Sequence, residues 1–225
     1  MLMFRWVLMR SIGRTAAALC LVAIAAFPVA ARAGEVSSLG AVEAVGIAVD
    51  AYVYGYPLVT YDMVRKRQTN VATPDAEHAP MGQVIRMRTY PAVDNHRCAA
   101  PGADTLYTEV WLDVSEQPWV FGIPDMGDRY YIMPMLDGWS EVFSVASSRT
   151  TGSKAQTYAI TGPGWSGALP QGITGIKSPT GMVWILGRIY STGSPEDYRA
   201  VRALQDKFSI VPVSGVSAVA MRIVL

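Results

Sequence analysis

Apolar positions along the chain follow two patterns, one of helical period and one of strand period. Residues 42–54, "VEAVGIAVDAYVY", place apolar side chains at helical spacing and run into Gly55 and Pro57, which predict the end of a helix there. Residues 65–100 then turn polar, with Pro74, Pro80, Pro91 and both histidines, and read as a loop-rich connection with at most short elements. After Pro101 come short β-type segments: "TLYTEVWLDV", "WVFGIP", "RYYIMPML", "EVFSVAS", "TYAITG" and "MVWILGRIY". Turn residues separate them, and "MGD" at 126–128 reads as the turn of a hairpin from which "RYYIMPML" departs. Pro134 inside that segment predicts a bulge or an edge strand, because proline cannot donate to a ladder. Finally, "SPEDYRAVRALQDKF" has Ser194 to cap a helix, Pro195 for its first turn, and a stripe of Tyr198, Val201, Leu204 and Phe208 to bury. The fold class that follows is α+β, a mainly antiparallel β-sheet with an N-terminal helix and a C-terminal helix.

The first 33 residues change the picture of where this fold is used. Arg5, Arg10 and Arg14 precede the apolar, small-residue run "TAAALCLVAIAAFPVA", which is followed by "ARA". That is the layout of a secretory signal peptide, so export to the periplasm or medium after cleavage near Ala33 is expected. The run is also shorter than the roughly 20 residues a membrane span needs, so no transmembrane segment is expected in the mature chain. Cleavage takes four arginines and no acid from the 19 basic and 18 acidic residues, leaving a net charge of −3. Such a charge argues against nucleic acid as a partner. Only Cys98 remains in the mature chain, so no intramolecular disulfide is available. Residues 34–213 are expected to form one domain, and the tail "SGVSAVAMRIVL" after Val213 reads as aberrant, as a truncation would leave it.

Candidate chemistry is sparse. Asp94, His96 and Cys98 alternate and His78 could join them, yet no ligand pair recurs and an ordinary polar loop is the simpler reading. No metal and no cofactor are therefore expected. No G-x-S-x-G occurs, and Ser166 in "GPGWSG" sits in a wide turn. Asp125 and Asp128 bracket a turn that their side chains can hold. Asp104 and Asp137 lie at strand ends beside Tyr107 and Trp139, with Arg129 and Arg149 available as partners for a carboxylate or an anion. The candidate ligand-binding set is Asp104, Tyr107, Arg129, Tyr131, Asp137 and Arg149, with Asp104 expected within salt-bridge reach of Arg129 or Arg149 beside a pocket. Trp111, Trp119, Trp184, Tyr130 and Tyr190 are expected in the core.

Taken together, "AYVYGYPLV", "APGADTLYTEVWLDVS", "PDMGDRYYIMPMLDGW", "RTTG", "TYAITGPGWSGALPQGI", "SPTGMVWILGRIY" and "PEDYRAVRALQDKFSIVPV" resemble the bacterial exported family known as domain of unknown function 1254. The resemblance runs from about Ala41 to Val213. It implies an α+β domain that is usually the N-terminal half of a longer protein, followed by a β-rich partner, domain of unknown function 1214. Many relatives carry asparagine where this chain has Gly102. The expected function is an exported domain binding a small or amphipathic ligand in the cell envelope. The alternatives are a hydrolase using carboxylate acid and base groups, and the structural or interaction half of a two-domain protein lacking its C-terminal partner. The residues leave open whether it is an enzyme.

Overall fold

The computed structural model describes residues 40–92, 102–169 and 171–215. The chain divides into two compact units, Met1–Tyr52 and Val53–Leu225. Described residues of the first unit, 40–52, are exposed, and from Ala41 they belong to helix α1 (Ala41–Thr69). The leader expected at residues 1–33 and the Asp94, His96 and Cys98 alternation lie outside the described residues.

Helix α1 covers Ala41–Thr69 and continues through Gly55 and Pro57, where the sequence predicts a stop. Proline cannot bond to the preceding turn, but this part of the helix is open to solvent, so the unpaired carbonyl is not buried. The Thr60 hydroxyl also donates to the carbonyls of Tyr56 and Pro57 at 2.8 and 3.0 Å. What holds the helix beyond Pro57 is one narrow buried stripe, centred on Tyr61 and Gln68.

The strands among the described residues are β1 (Val84–Arg86), β2 (Thr105–Asp113), β3 (Trp119–Ile123), β4 (Tyr131–Leu136), β5 (Val142–Ser147), β6 (Gln156–Thr161), β7 (Thr174–Lys177), β8 (Met182–Tyr190) and β9 (Ser209–Pro212). They form two sheets, ordered β1-β2-β8-β4-β5 and β7-β6-β3-β9. All pairings are antiparallel except β6 with β7. Helix α2, Pro195–Gln205, starts as its sequence predicts, with the Ser194 side chain accepting from the Asp197 amide.

Strand alternation divides the side chains of the larger sheet between two faces. Leu106, Val110 and Leu112 of β2, Val183, Ile185 and Ile189 of β8, and Tyr131, Met133 and Met135 of β4 meet Phe121, Ile123, Tyr158 and Ile160 of the second sheet in the main core. Val201 of α2 and Phe208 complete it. On the opposite face, Ile85 and Trp111 pack with Tyr61 of α1 and with Trp184 in a smaller cluster. Two aromatics expected in the core, Tyr130 and Tyr190, are instead exposed: Tyr130 precedes β4 and Tyr190 is the last residue of β8.

Two features around β4 depart from the sequence reading. The "MGD" turn forms, with the Gly127 amide on Asp125 Oδ1 at 2.9 Å and Gly127 at φ 57°. It joins β3 of one sheet to β4 of the other, so it is a crossover and not a hairpin. Buried Met126 anchors the crossover, its amide bonded to the Ser153 carbonyl at 2.8 Å. Pro134 lies in an internal strand, and pairing of β4 with β8 is interrupted at Met133 and Pro134 while the β5 side shifts register between Met135 and Leu136. The bulge expectation is therefore met and the edge expectation is not.

Candidate functional site

Sheet register gathers most of the candidate residues at one end. Thr105 stands opposite Tyr190, Tyr107 opposite Arg188, and Tyr131 opposite Ile189, so the start of β2, the end of β8 and the start of β4 meet there. Ser147, near Arg149, pairs with Ile132 at the same end. Asp137 lies at the other end of β4, away from the rest.

Each candidate side chain then has a specific task. Arg129 forms a two-pronged pair with Asp197, at 2.6 Å to Oδ1 and 3.2 Å to Oδ2, and also donates to the Tyr190 carbonyl at 2.8 Å. Asp197 further accepts from the Ser191 hydroxyl and the Thr192 amide at 2.9 and 2.8 Å. The Arg129 guanidinium holds the Asp197 carboxyl down at about 2. This network ties the start of β4 and the end of β8 to the first turn of α2. The expected approach of Asp104 to Arg129 or Arg149 does not occur: Arg129 belongs to Asp197, and Arg149 lies over the Tyr130 ring, 5.4 Å from its centre. Asp104 is exposed, with no ion pair among the described residues.

Tyr131 points into the core, and burial raises its phenol pKa. Its hydroxyl donates to the Gly152 carbonyl at 2.7 Å and accepts from Gln156 Nε2 at 3.0 Å, pinning the loop after β5. Asp137 is buried and accepts from the amides of Trp139 and Glu141 at 2.8 and 3.0 Å, closing the β4–β5 hairpin around Ser140, whose φ is 66°. Tyr107 faces outward from the sheet, receives the Gly102 amide on its hydroxyl at 3.0 Å, and lies under the Arg188 guanidinium.

Several residues with chemical potential escape a reading of the sequence alone. Glu109, on the outer face of β2, is 3% exposed and accepts from Gln68 Nε2 and Trp184 Nε1, both at 3.1 Å. Gln68 Oε1 in turn accepts from Trp111 Nε1 at 2.6 Å, and Trp111 stacks on Trp184 with centres 4.6 Å apart. Tyr61 sits edge-on to Trp111, its buried hydroxyl without a hydrogen-bond partner, and burial followed by the charge of Asp137 raises its pKa. The alternation Thr105, Tyr107, Glu109, Trp111 was the available signal, since a polar residue every second position marks one face. Which element covers that face, and so buries Glu109, is not local information.

A groove of about 350 Å³ opens beside β6 and β7, lined by Thr151, Gln156, Thr157, Tyr158 and Thr174 among others. It contains no carboxylate, so it does not offer the paired acids that a carboxylate hydrolase requires. No group of three or more metal-ligating side chains occurs among the described residues. No helix there is long and apolar enough to cross a membrane.

The profile of a family described as "Protein of unknown function (DUF1254)" matches residues 81–212, more than half of the chain. The chain belongs to the DUF1254 family. The match spans β1 through β9 and includes the Arg129–Asp197 network, the outer-face cluster of Glu109 and its tryptophans, and the groove. Among solved structures, the chain is similar to the VPA0106 protein from Vibrio parahaemolyticus, with 27% identity and a TM-score of 0.56. That similarity covers 73% of this chain and 37% of the Vibrio protein, so the DUF1254 chain spans well under half the length of this relative. An uncharacterised protein from Burkholderia cenocepacia is also similar, at 12% identity over 57% of this chain and 36% of its own, with a TM-score of 0.34. No curated protein matches the chain.

Proposed function

We propose that this DUF1254 chain is an exported interaction domain that docks a second, apolar-faced domain onto helix α1. The observation that carries the reading is the outer face of that helix. Val59 and Met63, one turn apart and on the side opposite Tyr61 and Gln68, are 59% and 65% exposed. Between Asp50 and Asp62 the helix carries no charge at all. A helix apolar on both faces is the kind that lies between two layers, and among the described residues the larger sheet supplies only one. The greater length of the Vibrio relative is consistent with the second layer being a further domain. The residues first considered for ligand binding also favour this reading, because Arg129, Tyr131 and Asp137 are tied to protein partners. The leader pattern of residues 1–33 supports the exported location.

The test is titration of the purified chain with the separately produced second portion of a longer DUF1254 protein, followed by sedimentation. A complex is expected, weakened at least about tenfold by the pair Val59→Glu and Met63→Glu. Absence of a complex, or a double variant that binds the second portion as tightly as the parent, would overturn the proposal.

A further inference from the structure

The entrance to β2 holds a small cluster of side-chain oxygens around Gly102. Thr105 is 8% exposed, and its hydroxyl has no hydrogen-bond partner. A Cβ at Gly102 would stand 3.1 Å from Thr105 Oγ1, 3.3 Å from Tyr107 Oη and 3.5 Å from Asp104 Oδ1, so three side-chain oxygens converge on the bare glycine. Tyr107 Oη already receives the Gly102 amide and keeps one acceptor position. Over the face of the Tyr107 ring, 5.4 Å from its centre, lies the guanidinium of Arg188, a residue placed opposite Tyr107 on β8.

Charge and donor count define what fits. Three acceptor oxygens, one of them a carboxylate, match the three N–H donors of a primary ammonium group. An orphaned buried hydroxyl is costly until a ligand satisfies it. Arg188, a rigid fork suited to carboxylates, lies over the face of the same phenol ring. We propose that Gly102, Asp104, Thr105, Tyr107 and Arg188 form a site for a small zwitterion of the amino-acid class, its ammonium on the oxygens and its carboxylate on Arg188. The site is separate from the exposed face of α1 and does not depend on what docks there.

Saturation-transfer NMR on the purified protein tests this with L-alanine, N-acetyl-L-alanine and L-alaninamide, and with calcium chloride followed by thermal shift. L-alanine should receive saturation, L-alaninamide less, and N-acetyl-L-alanine none. Asp104→Asn and the near-isosteric Thr105→Val should each weaken L-alanine at least about tenfold. Gly102→Ala should block it. Arg188→Gln should weaken L-alanine yet leave L-alaninamide unchanged, a split that a general loss of structure would not produce. Equal binding of N-acetyl-L-alanine, no transfer to L-alanine, or occupancy by calcium alone would each overturn the assignment.

Discussion

Replacing Asp197 by asparagine asks whether Arg129 is a structural clamp or a free anion receptor. The carboxylate lies in the first turn of α2, where the positive helix end favours it, and accepts from Arg129, Ser191 and Thr192. Its drop from an ordinary 3.8 to about 2 corresponds in full to about 2.4 kcal/mol by linkage. Water reaches both partners, whose side chains are 20% and 16% exposed, and screening reduces the contribution to about 1–2 kcal/mol. The folded-state pKa is depressed, so this stability is complete above the unfolded value and drains as pH falls through 3.8 toward 2. Urea unfolding of Asp197→Asn and the parent should therefore differ by about 1–2 kcal/mol at pH 7, and by roughly half that at pH 3. Equal stabilities at pH 7, or a gap of the same size at both pH values, would refute the clamp and return Arg129 to the pool of ligand-binding residues.

Three further substitutions probe the rest of the framework. Tyr131→Phe should cost only about 1 kcal/mol in thermal unfolding, because Gln156 still donates to the Gly152 carbonyl at 2.8 Å after the phenol is gone. Gly187→Ala should cost about 1–3 kcal/mol or more, since its methyl would meet Met133 Sδ at 2.2 Å and the Thr108 carbonyl at 2.5 Å; an unchanged melting temperature would show that β4 can move aside. Gln68→Leu removes the acceptor of Trp111 and a donor to buried Glu109, and denaturant unfolding should register a loss of about 2–3 kcal/mol. A shift in tryptophan emission in the same variant would locate the change at the stacked pair.

What could be read from the sequence was what neighbouring residues decide together. Helix α2 is the clear case, since its cap, first-turn proline and apolar stripe lie within fifteen residues and all formed as predicted. The six longer strands were visible in β-branched and aromatic runs, whereas β1, β7 and β9 are edge segments of three or four residues without such a run. The "MGD" turn shows where local chemistry stops deciding. Asp125 holds the turn as expected, but whether the next strand returns to the same sheet depends on what Met126 buries itself against. The site behaved likewise: Arg129 was identifiable as a paired arginine, while its partner Asp197 lies 68 residues away and was read only as a helix-start charge.

Helix α1 brings these strands of reasoning together. Its interior contains Gly55 and Pro57, which disfavour a helix by about 1 and 3 kcal/mol relative to alanine. Buried contacts that offset this cost lie C-terminal to the proline, at Tyr61 and Gln68, while before the proline Tyr54 makes a tilted ring contact with Trp139 at 4.9 Å. Burying Val59 and Met63 under a second layer would add roughly 1.5–3 kcal/mol for each side chain fully covered, enough to offset the proline. The turn around Pro57 should therefore exchange amide hydrogens far faster than residues 61–68 in the chain alone, and slow toward them when a second domain docks. Hydrogen exchange read by mass spectrometry separates the two segments. Uniform protection along residues 53–68 in the isolated chain would mean that the helix needs no second layer, and would remove the energetic reason for proposing one.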